Sequence, residues 1–240
     1  MILTPSRSET TETQEHLRPT PPVAAQRAGT EAKGPADRRS RYEVGSCYWQ
    51  SPDGRDYFFR APAVSDGAAL WSLARDSGVL EVNSPYSYLL LSEHFADTCV
   101  VAERESAPVG FVSAFVSPAA ADTVFVWQVG VAAAERGQGV ACKLLLQLLA
   151  RPKCRRVRRL EATVTPSNAA SRALFESVAR ELGVPFSVYP GYGPELFPGS
   201  GHEREELIRI GPLPRALRGR IPRRPKSDAK KKHGQLEERS

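Results

Sequence analysis

The sequence has few of the residues that build metal sites, disulfide frameworks or membrane spans. Its 240 residues include four cysteines and four histidines, with no C-x-x-C pair and no histidine at a metal-ligand spacing. No apolar run is long enough to cross a bilayer, and the N-terminal region lacks the apolar segment of a secretory signal. These absences predict a cytoplasmic protein without a metal, whose cysteines are reduced and structural.

Aromatic residues are missing from both ends of the chain. Residues 1–41 contain none, so this region cannot bury enough apolar area to offset its conformational entropy. Residues 212–240 hold 10 Lys/Arg against 3 Asp/Glu, whereas the rest of the chain holds 23 against 24. We predict a disordered N-terminal extension at 1–56, one domain at 57–212 and a basic disordered tail at 213–240. Nucleic-acid contact by the tail is the less favoured alternative, because the other residues are near neutral.

Between these ends, the apolar periodicity alternates between strand and helix patterns. Runs of β-branched and aromatic residues predict strands, and apolar residues at helical spacing predict helices. The predicted order is β-α-α-β-β-β-α-β-α-β-β, which is an α/β layered domain. The predicted strands are 57–60, 98–103, 109–116, 123–131, 160–164, 186–189 and 207–210, and the predicted helices are 68–74, 85–95, the segment from 139 to near 152, and 168–182.

A glycine-rich turn separates the strand at 123–131 from a leucine-rich helix. Its residues are Arg136, Gly137, Gln138, Gly139, Val140 and Ala141. Glycines let the backbone turn tightly, and the free N–H groups and positive dipole end of the following helix favour an anion there. The spacing fits neither the dinucleotide-binding nor the Walker motif. The turn is therefore a candidate diphosphate cradle, with plain helix entry as the alternative.

The turn matches R/Q-x-x-G-x-G/A, and the chain resembles the GNAT N-acetyltransferases, in which this motif binds the pyrophosphate of acetyl-CoA. Four further strings are similar to the members that acetylate L-2,4-diaminobutyrate in ectoine biosynthesis, and they span 83–91, 125–129, 163–168 and 209–212. The resemblance implies the GNAT acyltransferase fold, with a mixed, mostly antiparallel sheet flanked by helices. It also implies direct acetyl transfer from acetyl-CoA to the γ-amine of this diamino acid, and a homodimer.

The resemblance assigns further residues to acetyl-CoA and to proton transfer. Backbone N–H groups of the segment 128–131, including Val129, Gly130 and Val131, would stabilise the thioester oxygen, and Asn168 would touch CoA. The alternatives are a β-bulge at the glycine and a helix cap at the asparagine. The attacking amine must be neutral, and Glu161 is our candidate base because a carboxylate on an apolar strand can lie in a low-dielectric cleft. A solvated strand-end glutamate is the alternative.

Acceptor recognition is assigned by the same resemblance. The candidate substrate-binding residues are Glu81, Asn83, Tyr86, Trp127 and His202. The glutamate and tyrosine would face the α-ammonium, the tryptophan ring would pack against the cationic end, and the histidine would close over the substrate. A core position for the tryptophan and an exposed loop position for the histidine are the alternatives.

The donor that protonates the departing CoA thiolate is not assigned by the motif. Phe175 stands where many GNAT enzymes carry a tyrosine, so Tyr86, Tyr189, Tyr192 or water could act instead. The sequence does not choose among these donors, and Tyr86 is also our candidate catalytic residue. Two rival hypotheses remain at this point. One keeps the fold with another diamine, a polyamine or a protein amine as acceptor, and the other is a non-catalytic module that binds CoA and nucleic acid.

Overall fold

The structure is a computed structural model that describes residues 46–199 and 201–214. Its strands are β1 Cys47–Gln50, β2 Asp56–Arg60, β3 Val100–Arg104, β4 Ala107–Val116, β5 Thr123–Val131, β6 Arg159–Val164, β7 Phe186–Pro190 and β8 Glu206–Ile210. Its α-helices are α1 Gly67–Asp76, α2 Pro85–His94, α3 Val140–Ala150 and α4 Ala169–Leu182. No helix among the described residues combines the length and the apolar character that crossing a membrane requires.

One mixed sheet of eight strands, in the order β1-β2-β3-β4-β5-β6-β8-β7, organises these elements. Every neighbouring pair is antiparallel except β5 with β6. Helices α3 and α4 cover one face through residues such as Leu144 and Val178. Helices α1 and α2 cover the other face through Leu70 and Tyr88. The predicted fold class is confirmed, because both faces of the sheet bury apolar side chains under helices.

The folded segment extends beyond both predicted boundaries. Strand β1 lies inside the region 1–56 that we predicted to be disordered, and it pairs with β2. Its four residues were too short a run to be recognised, although Cys47 and Trp49 pack against the core. At the other end, Leu213 is buried and its N–H donates to the carbonyl of Arg158 at 2.8 Å. The remaining residues of both predicted extensions lie outside the described part of the chain.

Candidate active site

The sheet opens between its two parallel strands. Only Thr123, Val124 and Phe125 of β5 pair with β6, although β5 continues to Val131 and β6 continues to Val164. Beyond Phe125, the edge of β5 that faces away from β4 therefore has backbone N–H and C=O groups that β6 does not take. Unpaired backbone groups of this kind need a partner, and N–H groups fixed in a cleft can stabilise a developing oxyanion.

A β-bulge at Trp127 gives the opening its shape. Ser113 of β4 faces Gln128, but the next residue of β4 faces Val126, so Trp127 is the extra residue of β5. An extra residue reverses which face the following side chains occupy. Before the bulge, Val126 packs with the α3 side of the sheet, and after it Gln128 contacts Tyr88 on the α1 and α2 side. Trp127 is 47% exposed, so the alternative of a core tryptophan is wrong.

Gly130 follows the bulge, and its missing side chain makes room for core residues. A Cβ at this position would lie 2.6 Å from a ring carbon of Phe111 and 3.3 Å from Leu80 Cδ1. The close approach is therefore to apolar neighbours on the α1 and α2 side, and the alternative of a bulge at Gly130 is wrong because the bulge is at Trp127. The role of N–H groups from Val129, Gly130 and Val131 stays a prediction.

The glycine-rich turn leaves an open backbone surface before α3. Gly137 and Gly139 have φ angles of +77° and +82°, which side-chain-bearing residues rarely adopt. Nothing lies within 4 Å of a Cβ placed on Gly137. Helix α3 begins at Val140, and its first turn closes with a bond from the Lys143 N–H to the Gly139 carbonyl at 3.0 Å. The N–H groups of Val140 and Ala141 precede this bond, as an anion site at a helix start requires.

The polar side chains of the turn contact protein groups. Arg136 donates from Nε to the Val131 carbonyl at 3.3 Å and from Nη2 to the Ser77 carbonyl at 3.1 Å. Gln138, with its amide oriented to donate, lies 2.9 Å from a carboxylate oxygen of Asp53. These contacts fix the turn against β5, α1 and the loop after β1. An anion at this turn would therefore meet chiefly backbone N–H groups.

The buried carboxylate of Glu135, which sequence reasoning missed, anchors the chain just before the glycine turn. Glu135 accepts from Tyr57 Oη at 2.5 Å, from Arg104 Nη1 at 2.7 Å and from Arg55 Nη1 at 3.0 Å. Burial raises the pKa of Glu135, but the hydrogen bonds from Tyr57, Arg104 and Arg55 outweigh it and lower the pKa to about 2. This cluster joins β2 and β3 to the residue that precedes Arg136.

Three of the predicted acceptor residues, Glu81, Asn83 and Tyr86, lie on the loop between α1 and α2 and at the start of α2. The Glu81 carbonyl accepts from Gln128 Nε2 at 2.7 Å, which places this loop against β5. The Glu81 side chain is exposed, Asn83 is half-buried and Tyr86 is 65% exposed. The fold thus brings Glu81 next to the strand that carries Trp127, and it leaves polar groups on this side open to a ligand.

Glu161 of β6 pairs with Phe125 of β5, and this is the last pair before the two strands separate. Its side chain is 15% exposed, and Arg209 Nε on β8 donates to its Oε1 at 2.6 Å. The Arg209 guanidinium also lies 4.9 Å from the centre of the Tyr189 ring. The structure thus gives Glu161 an ion-pair partner in Arg209, and the role of Glu161 as the base stays a prediction. Sequence reasoning missed Arg209, whose strand lies next to β6 only in the folded sheet.

The other two predicted site residues make local contacts. Asn168 caps α4, since its Oδ1 accepts from the Ser171 N–H at 3.0 Å, as the cap alternative predicted. His202 stacks on Phe197 with ring centres 3.6 Å apart, and its Nδ1 lies 2.6 Å from the Glu203 carbonyl. His202 therefore lies in the loop between β7 and β8 with its ring already covered on one face.

The tyrosines considered as acids lie at exposed positions, whereas the residue that replaces the usual donor is buried. Tyr86, Tyr189 and Tyr192 are 65%, 42% and 54% exposed. Phe175 is buried in the core on the α3 and α4 side of the sheet. Its packing role is confirmed.

The family comparison identifies the class of protein. Residues 68–179 match the model of the Acetyltransferase (GNAT) family. The fold and the matched residues make this chain an acetyl-CoA-dependent N-acetyltransferase of the GNAT class.

Relatives define the particular family. The chain is 51% identical over 152 residues to the L-2,4-diaminobutyric acid acetyltransferase of Halalkalibacterium halodurans, covering 63% of this chain and 80% of the relative. It is 48% identical to that of Shouchella clausii, covering 63% of this chain and 85% of the relative. The diaminobutyrate acetyltransferase EctA of Paenibacillus lautus was solved with its substrate and coenzyme A. It is 49% identical to this chain, with a TM-score of 0.64, and the match covers 66% of this chain and 96% of the relative. The chain belongs to the L-2,4-diaminobutyric acid acetyltransferase family.

Proposed function

We propose that this protein transfers the acetyl group of acetyl-CoA to the γ-amine of L-2,4-diaminobutyrate, giving N-γ-acetyl-diaminobutyrate in ectoine biosynthesis. The observation that carries the proposal is the opening between β5 and β6. It has a glycine turn for a diphosphate at one end and exposed Glu81 and Trp127 beside the bulge. The Paenibacillus lautus relative binds L-2,4-diaminobutyric acid and coenzyme A, which supports the same two ligands here.

Acetyl-CoA is a co-substrate that supplies the activated acetyl group as a thioester. Its diphosphate would bind the N–H groups of the turn from Gly137 to Ala141, with Asn168 near the CoA chain. The thioester oxygen would accept from N–H groups of β5 between Val129 and Val131, in the part of the strand that β6 leaves unpaired. These donors are held by the sheet before the substrate arrives, so little reorganisation is needed in the transition state.

The acceptor diamine needs one group for its α-ammonium and another for the reacting amine. Glu81 supplies a carboxylate, Trp127 supplies a ring face for a cation and Tyr86 supplies a hydroxyl. Glu161 remains our candidate for the base that takes the proton from the γ-ammonium. Because Arg209 binds the Glu161 carboxylate, proton uptake there requires this ion pair to loosen when the diamine enters.

Chain length is the property that identifies the acceptor. Glu81 and the unpaired edge of β5 are separate groups, so a diamine is accepted when its two nitrogens span the distance between them. We propose direct transfer in a ternary complex, a cytoplasmic setting where acetyl-CoA is made, and a homodimer. His202 would contact the acceptor from the loop between β7 and β8, and Tyr86 would protonate the CoA thiolate.

The test is thiol release from acetyl-CoA with L-2,4-diaminobutyrate, compared with 2,3-diaminopropionate and ornithine. We expect a preference of at least about 100-fold in kcat/KM for diaminobutyrate, because a misplaced amine loses its near-attack geometry. Mass spectrometry of the product should place the acetyl group on the γ-nitrogen. Equal turnover of all three diamines would contradict the proposal and favour the rival acceptor class.

A further inference from the structure

Gln128 is a buried amide that joins three elements on the acceptor side of the opening. It is 5% exposed. Its Nε2 donates to the Glu81 carbonyl at 2.7 Å, and its Oε1 accepts from Tyr88 Oη at 3.1 Å. A buried amide loses its water and needs such partners. One side chain thereby connects β5, the loop before α2, and α2 itself.

The bulge decides that Gln128 faces this loop. Because Trp127 is the extra residue of β5, Gln128 lies on the face that α1 and α2 cover. Tyr88 is fully buried and packs edge-on against Phe111, with ring centres 6.2 Å apart. The Gln128 amide therefore has a rigid partner on one side and a loop carbonyl on the other.

Before Glu81, the loop is held by contacts of Ser77 and Leu80. The Ser77 hydroxyl accepts from the N–H of Leu80 at 3.0 Å, and Arg136 donates to the Ser77 carbonyl. Leu80 also packs beside Gly130. Glu81 then receives its contact to the strand from Gln128. A change at Gln128 would release the segment that carries the Glu81 carboxylate and leave the glycine turn intact.

We propose that Gln128 is the positioning residue that sets the distance between the Glu81 carboxylate and the acetyl group, and so selects the length of the diamine. This inference rests on the proposed function. Both polar atoms of the amide bind protein groups, so the amide itself would not contact the reacting atoms. It acts by holding the Glu81 backbone against β5, where the unpaired N–H groups face the thioester.

The test compares Gln128→Met with Tyr88→Phe, which keeps the buried ring and removes one hydrogen bond. We expect Gln128→Met to raise KM for diaminobutyrate about tenfold and to leave KM for acetyl-CoA within about twofold. The ratio of kcat/KM for diaminobutyrate over ornithine should fall about tenfold. Tyr88→Phe should act in the same direction by about threefold.

Gln147→Met is the matched control, because Gln147 is also a buried glutamine but lies on α3. It should leave the selectivity ratio within about twofold. Hydrogen exchange of residues 77–84 should be faster in Gln128→Met than in the wild type. This readout needs no substrate, so it applies to any variant that folds.

The results separate two failures. If the wild type prefers diaminobutyrate but Gln128→Met keeps that preference, or raises both KM values equally, the inference is overturned and the proposed function stands. If the wild type does not acetylate diaminobutyrate, the proposed function fails. Unchanged exchange at 77–84 would then overturn the positioning role as well.

Discussion

The two sides of the opening are held in different ways. On the cofactor side, the buried carboxylate of Glu135 binds Tyr57, Arg104 and Arg55, so three hydrogen bonds fix the turn that precedes α3. On the acceptor side, a single hydrogen bond from the Gln128 amide holds the loop at Glu81. Under the proposed function, this difference would make the turn a rigid cradle for acetyl-CoA and the loop an adjustable segment that recognises the amine. Changes on one side should therefore alter one substrate and spare the other.

The largest expected effect is on the rigid side. Glu135→Gln should lower the free energy of unfolding by about 3 kcal/mol, because the buried side chain loses two charge-assisted hydrogen bonds, from Arg55 and Arg104. Glu105→Gln is the control, since Glu105 pairs with the same Arg104 but is exposed, and it should cost at most about 0.5 kcal/mol. Thermal unfolding of the wild type and both variants measures the loss of stability in each variant. Equal losses would show that burial of Glu135 does not matter.

The same carboxylate predicts the pH dependence of stability. Its folded pKa of about 2 lies below the ordinary value of 4.5, so its contribution is fully present above pH 4.5 and is lost as the pH falls towards 2. The difference in melting temperature between the wild type and Glu135→Gln should therefore shrink over this range.

The next effect is on the acceptor side. Glu161→Gln should lower kcat about 100-fold, as expected for loss of a general base, and leave the Kd of acetyl-CoA within about twofold. Glu103→Gln is a matched control, because Glu103 is also a strand glutamate paired with an arginine and its side chain is 17% exposed against 15% for Glu161. Stopped-flow turnover and calorimetry give the two quantities. Unchanged kcat would remove Glu161 as the base.

The smallest of these effects concerns the cradle. Gly139→Val should raise the Kd of acetyl-CoA about tenfold, because a β-branched residue at a φ of +82° distorts the turn that presents the N–H groups. Gly183→Val is the control, since Gly183 also has a positive φ but caps the end of α4. Both variants should lose stability, and only the first should lose affinity in a calorimetric titration. Wild-type affinity in Gly139→Val would contradict the cradle.

Local patterns predicted much of the fold. Alternating and helical periodicities identified every element except β1, because each longer run buries one face over several residues. The glycine turn was also predictable, since its two glycines and the helix that follows are neighbours in the chain. Strand β1 was missed because four residues carry too little pattern. The position of the bulge was missed because it depends on how β5 pairs with β4.

The contacts that hold the site were beyond sequence reasoning for a common reason. Glu135 and its partner Tyr57 are 78 residues apart in the sequence. Gln128 and Glu81 are 47 residues apart, and Arg209 and Glu161 are 48 residues apart. Each of these residues has a polar side chain with no periodic signal of its own. Only the paired strands show which charge meets which.

The sequence by itself determined the class of fold and the place of the glycine turn, because these depend on neighbouring residues and on apolar periodicity. The tertiary structure alone decided where β5 and β6 part, which face the bulge gives to Gln128, and that Arg209 pairs with Glu161. Those outcomes depend on strand register and burial, which arise only when distant segments pack together.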